Sequence, residues 1–226
     1  MLTPKDASED NNFLFLAIGI IVLLFVAALI EQFPGLPGKA FIEAFSLFNI
    51  VIGIYGFKAS ATWVRTVPGL ALLFTLSAGF TLLLRHIGTP YLHLLILSGF
   101  YLWALWLASK EVFLRKRVDF NRITGAVCIY LLLGVIWTLL YLFITLIDAH
   151  AFNGLTQRHW YENFADLAYY SFVTMTTLGY GDITPVAPLA KFLAYMEAIV
   201  SAFYMTILVA SLVGLGINEV TRKRED

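Results

Sequence analysis

Charge is scarce in this chain of 226 residues: Asp, Glu, Lys and Arg together make up 13% of it. A water-soluble globular domain carries about 25%, so the charge needed to cover a water-facing surface is missing. That excludes a soluble enzyme, a disordered chain and a nucleic-acid binder. Cysteine is nearly absent too. The single Cys128 excludes an internal disulfide and a multi-cysteine zinc site, and in an apolar run it reads as a buried, inert thiol. An excess of either sign is lacking, with 15 basic and 15 acidic residues. Internal repeats and low-complexity tracts are not seen. What abounds is apolar side chain, 60% of the residues, with a mean hydropathy of +0.81. The composition is that of an integral membrane protein.

About 20 mostly apolar residues cross a bilayer as a helix. Six runs qualify: Phe13 to Ile30, Ala40 to Phe57, Pro68 to Leu84, Pro90 to Ser109, Ile123 to Ile147, and Pro188 to Ile217. The last is longer than a bilayer needs and is expected to tilt or protrude. The first follows an acidic leader, MLTPKDASEDNN, and is too long for a cleaved signal peptide; it is expected to stay. Lys and Arg concentrate in cytoplasmic loops. With the N-terminus inside, eleven of the fifteen fall on the inner side. Both termini are therefore expected in the cytoplasm, with the long connection from Asp148 to Pro188 outside. The expected organisation is a cytoplasmic tail (1–12), a four-helix membrane part (13–109), a basic interfacial linker helix (110–122), a two-span part (123–217) and a short cytoplasmic tail (218–226). Arg115, Lys116 and Arg117 in the linker suit a positive-inside anchor, or contact with anionic lipid.

Between the last two spans lies FADLAYYSFVTMTTLGYGDITP, Phe164 to Pro185. It opens as a short helix, with Glu162 and Asp166 near the positive end of the helix dipole. It ends in an irregular stretch with glycines at alternate positions, Gly179 and Gly181. Irregular backbone at membrane depth is tolerated only where protein covers it or a water-filled cavity borders it. Glycine permits left-handed φ values that other residues resist. Such a backbone can turn successive carbonyls to one side.

The string Thr177-Leu178-Gly179-Tyr180-Gly181-Asp182 closely resembles the selectivity-filter signature of potassium channels. Its setting matches as well: an apolar helix, a short aromatic-rich helix ending in Thr176-Thr177, the filter, and a long helix. The resemblance covers about residues 123–218, and the whole chain resembles a small prokaryotic six-span channel. It implies an all-α membrane protein with a re-entrant pore helix and filter between the fifth and sixth spans, assembled as a homotetramer in the plasma (cell inner) membrane. It implies that Thr177, Leu178, Gly179 and Tyr180 offer oxygens to permeant K+, the ion's water shell being replaced by carbonyls as in those channels. No other cofactor is implied. Gly181 and Asp182 would set filter geometry, Tyr180 would pack as a spacer, Tyr169 and Tyr170 would form a cuff around it, and Thr174 and Thr176 would belong to the pore helix. Two departures stand out. Leu178 replaces a β-branched residue, and Val173 stands where some members carry an acid that pairs with the aspartate.

Voltage-gated relatives carry a basic residue at every third position of the fourth span. Here PYLHLLILSGFYLWALWLAS has no Lys or Arg. Steep gating needs several charges crossing the field, so weak voltage dependence is expected. The nine residues NEVTRKRED are too few for a cytoplasmic ligand-binding domain. Glu197, an acid within a span, is a functional candidate by default: it either faces the ion path or hydrogen-bonds the pore helix. Met205, Val209 and Val213 recur at helical spacing and either line the cavity or pack against the fifth span. Gly214 and Gly216 are a candidate hinge near the inner mouth, while Ser201 stands close to where family members carry a hinge glycine. Asp148, His150 and His159 near the outer mouth read as surface polar groups, with acid sensing as the second reading.

Other classes fare worse. An intramembrane serine protease needs Gly-x-Ser-Gly and a later histidine, but Ile96-Leu97-Ser98-Gly99 lacks the first glycine. An aspartyl type needs two Asp residues within spans, and these spans contain none. Potassium transporters carry four filter repeats in one chain, against one here. A non-selective monovalent cation channel is the nearest alternative, usually marked by a change at Tyr180-Gly181, which is intact.

Overall fold

The computed structural model describes residues 12–33, 38–56, 69, 72, 75–76, 89–114, 120–156 and 160–225. Six helices and one two-stranded ribbon lie among them. In chain order they are α1 (Asn12–Gln32), α2 (Gly38–Gly56), α3 (Thr89–Leu114), α4 (Phe120–Ile147), β1 (Phe152–Asn153), α5 (Asn163–Met175), β2 (Thr184–Pro185) and α6 (Pro188–Glu225). Four contain apolar runs long enough to cross a membrane: Phe13–Gln32, Pro90–Lys110, Arg122–Ile147 and Pro188–Leu208. α2 carries a shorter one, Ala40–Ile52. The expected span from Pro68 to Leu84 falls almost wholly outside the described residues, as do Arg115, Lys116 and Arg117. The described ends of the expected linker helix continue its neighbours: Lys110–Leu114 belongs to α3 and Phe120–Arg122 to α4.

α4 is the hub. It packs against α1, α3, α5 and α6, while α2 leans mainly on α1. Its buried positions run through Ala126, Cys128, Ile129, Leu132, Val135, Leu139 and Leu142, so more than one helical face is covered. Small residues let neighbours close in. A side chain on Gly134 would meet the Phe172 ring of α5, whose Cε1 lies 2.6 Å from where a Cβ would sit. Polar side chains fasten the bundle. Tyr91 of α3 donates to the Leu146 carbonyl of α4 (2.6 Å), and Tyr204 of α6 donates to the Ala126 carbonyl (2.6 Å). In membranes such bonds average about 0.6 kcal/mol each, so they orient helices more than they hold them.

Two features add to the expected layout. The connection between α4 and α6 contains a ribbon: β1 pairs antiparallel with β2, with Phe152 opposite Pro185 and Asn153 opposite Thr184. The Ala151 carbonyl continues it by accepting the Val186 N–H (2.8 Å). And α6 runs to Glu225, through residues expected to form a tail, because neither glycine nor proline follows Gly216 to stop it. Its 38 residues extend about 57 Å. The backbone at Gly214 and Gly216 is helical throughout.

Candidate ion-path site

The site begins where α5 ends. Thr176 is the C-cap. The Thr177 N–H bonds the Thr174 carbonyl (3.0 Å), and the Leu178 N–H bonds the Val173 carbonyl (3.0 Å). This pair is a Schellman closure, which places a left-handed residue at the position after the cap. Glycine usually takes that place. Here it is Thr177, at φ 61°, at a cost of about 1–2 kcal/mol for a residue with a β-carbon. The Gly179 N–H also reaches the Val173 carbonyl (3.4 Å), and the Thr176 hydroxyl turns back to the Phe172 carbonyl (2.6 Å).

Beyond the closure the sign of φ alternates. Thr177, Gly179 (φ 55°) and Gly181 (φ 83°) are left-handed, while Leu178 and Tyr180 are not. The two glycines were legible as permissive positions; the left-handed threonine was not. Alternation of this kind sets neighbouring peptide planes to a common side and leaves side chains pointing away. Residues 176–182 are all exposed in the single chain, with Leu178 at 57% and Tyr180 at 67%.

Two groups brace the outer end. The Tyr169 hydroxyl donates to Asp182 Oδ2 (2.7 Å), and the Tyr169 ring stacks on Tyr180, centroids 6.5 Å apart and nearly parallel. The hydrogen bond from Tyr169 holds the Asp182 carboxyl below the usual carboxylate range and pushes the Tyr169 hydroxyl up to about 12. Asp182 thus has a partner although Val173 is no acid. Tyr170 is not brought to Tyr180 in this chain. Successive helical residues point about 100° apart, and Tyr170 is buried edge-on against Tyr141 (5.1 Å) and Phe152 (5.4 Å). Behind Asp182 sits Gly154 at φ 79°, where a side chain would run into the Asp182 carbonyl oxygen. Only the left-handed turn after β1 betrays this buttress, and a lone Asn-Gly pair in a loop was too weak a signal to find it.

Glu197 is fully buried. Tyr141 donates its hydroxyl to Oε2, and Ser171 donates to Oε1 (2.6 Å). An ionisable group at the centre of a span costs about 2.5–3.5 kcal/mol when left to lipid, and these two hydroxyls are its compensation. The carboxyl therefore faces α4 and α5 of its own chain. Both partners escaped the sequence reading, since a tyrosine 56 residues away carries no local signal. Met205 is exposed (44%); the side chains of Val209, Val213, Gly214 and Gly216 lie outside the described set. Thr174 contributes its carbonyl to the closure. Cys128 is buried. Among the described residues no cluster of His, Cys, Asp and Glu could hold a metal ion. His150 is exposed, and its N–H bonds Asp148 Oδ1 (2.9 Å).

No curated protein matches this chain. Residues 125–217 match the family model described as an ion channel. That stretch takes in nearly all of α4, the ribbon, α5, the alternating backbone, Glu197 and most of α6. About two-fifths of the chain is thus an ion-channel domain at its C-terminal end, and the match is to channels and not to enzymes.

Proposed function

We propose that the protein is a potassium-selective channel that passes K+ passively down its electrochemical gradient. The observation that carries this reading is the left-handed alternation at Thr177, Gly179 and Gly181 directly after the α5 closure. Ions are stripped of water by oxygens of Thr177, Leu178, Gly179 and Tyr180, with Gly181 and Asp182 holding the outer turn. The negative end of the α5 dipole meets the start of this stretch and favours cations. Tyr180 acts as the spacer, supported from within the chain by Tyr169.

The conducting unit is a homotetramer. Support comes from what one chain leaves bare. In one copy residues 176–182 are all exposed, and the most apolar stretch of 18 residues within Pro188–Leu208 is only 11% buried, against 61% for that within Arg122–Ile147. The pore part is taken as 123–217, preceded by the four-helix part at 13–109 and the basic linker at 110–122. It sits in the plasma membrane with both termini cytoplasmic and Arg115, Lys116 and Arg117 near anionic headgroups. α3 carries no Lys or Arg from Thr89 to Ser109, which supports weak voltage dependence.

The test is reversal potential in liposomes holding purified protein, K+ on one side and Na+ on the other. The expected value lies near the potassium equilibrium potential, with flux lost in Gly179→Ala because alanine resists φ 55°. Reversal near zero would replace this reading with a non-selective cation channel.

A further inference from the structure

α6 is held by few points. Its fully buried residues among those described are Ala190, Glu197 and Ser201. Two of these are polar, and Ser201 uses its hydroxyl on the Glu197 carbonyl of its own helix (2.7 Å). Of the three, Glu197 is the one whose side chain is hydrogen-bonded to other helices. Its bond to Ser171 is, among the described residues, the side-chain hydrogen bond that links α6 to α5.

The position of Ser171 gives this bond its meaning. Ser171 stands on the buried face of the pore helix, next to Phe172, which fills the gap left by Gly134. Two residues further on, the Val173 carbonyl accepts from both Leu178 and Gly179. A displacement of Ser171 therefore moves the carbonyl from which the first filter amides hang. Ser171 Oγ also lies 3.0 Å from the Gly134 carbonyl, but one hydroxyl proton cannot serve two acceptors. That carbonyl already accepts from Thr138 (2.7 Å), so the Ser171 proton is free to point at Glu197. Tyr141 closes the group from α4, and its ring touches Tyr170 and Phe152 at the foot of the outer ribbon.

We infer that Glu197 is a positioning residue for the filter: its carboxyl joins α4, α5 and α6 at one point and holds the pore helix in conducting register. The inference rests on the proposed reading of residues 177–180 as the ion path. It assigns Glu197 a place outside the ion stream. Movement of α6 is passed to the filter through Ser171, without α6 touching the filter itself.

The full chain in liposomes provides the test, with two readouts. One is hydrogen exchange at the Leu178 and Gly179 amides; the other is single-channel burst length together with reversal potential. Glu197→Leu removes both acceptors and is expected to speed exchange of those amides and shorten bursts about tenfold. Glu197→Gln keeps the joint, because its amide accepts from Tyr141 and donates to Ser171, whose proton then turns to Gly134. It is expected to stay within about twofold of the parent. Ser171→Ala should resemble Glu197→Leu in a weaker form, and the two together should be no worse than Glu197→Leu alone.

Wild-type exchange and bursts in Glu197→Leu would overturn the inference. So would a Glu197→Gln variant as damaged as Glu197→Leu. Should Glu197→Leu fail to assemble, Ser171→Ala and Tyr141→Phe carry the same comparison. A parent channel without K+ preference would sink the selectivity reading and leave the exchange measurement to decide this one.

Discussion

α4 and α6 are both long membrane helices, yet they are held in opposite ways. α4 is covered on several faces by apolar packing, with side chains fitted to one another at contact distance. α6, among its described residues, is mostly exposed in the single chain: a few apolar residues such as Leu193, Ala194 and Leu208 lean on the core, and polar points tie it, Glu197 to Tyr141 and Ser171, Tyr204 to the Ala126 carbonyl, and Ser211 to Arg122 (3.4 Å). Close packing has no soft direction, whereas point attachments let a helix pivot between them. The contrast separates a fixed frame from a part that can swing, and α5 is packed against both.

The largest effect should come from disturbing the frame. Gly134→Leu forces a side chain into the Phe172 ring and is expected to lower stability by about 1–3 kcal/mol or to prevent folding. Thermal unfolding in detergent would check it, with Gly99→Ala, which faces open space on α3, as the silent control. Next comes the bare face of α6. Phe203 is 64% exposed; if four copies cover it, Phe203→Ala should weaken the assembly by about 1 kcal/mol at each contact. Light scattering of the purified protein reads this out. An unchanged oligomer would mean that Phe203 meets lipid, and the contrast between the helices would then be intrinsic to the chain.

The smallest effect lies at the Asp182 end of the strip and depends on pH. Asp182 is held below the usual carboxylate range by the Tyr169 hydroxyl. Its contribution is therefore present above the ordinary carboxylate value and is lost as pH falls through the depressed one. Tyr169→Phe removes the donor and returns Asp182 towards its ordinary value. The pH at which acid disturbs conduction should accordingly move upward. Recording current against pH on each side of the membrane for both forms checks this, and an unchanged midpoint would disconnect the pair from conduction.

How much of this was legible follows from the range of each interaction. Apolar runs name helices by length alone, so α1, α3, α4 and α6 were readable, as was the short α5. The alternate glycines Gly179 and Gly181 announced an unusual backbone. Thr177 did not, because its left-handed φ is imposed by the closure of α5 and not by its own preference. A charged composition at residues 218–226 does not by itself tell helix from coil; with no residue to stop it, α6 runs on past Ile217. Tyr141, Ser171 and Gly154 were invisible for a different reason. Each acts on a residue far off in the chain, and an unremarkable tyrosine, serine or glycine gains its role only when folding delivers the partner. The reading of Glu197 stopped between two alternatives for the same cause.

The closure at Thr177 has one more implication. Because the first residue of the alternating strip is also the terminator of α5, the strip inherits its azimuth from the helix. Adding or deleting one residue anywhere between Asn163 and Met175 would rotate everything after Thr177 by about 100° and shift it by about 1.5 Å. Its carbonyls would then face another way, with every residue of the strip still present. The thirteen residues of α5 act as a vernier, and their number sets the direction of the alternating strip as much as the glycines set its shape.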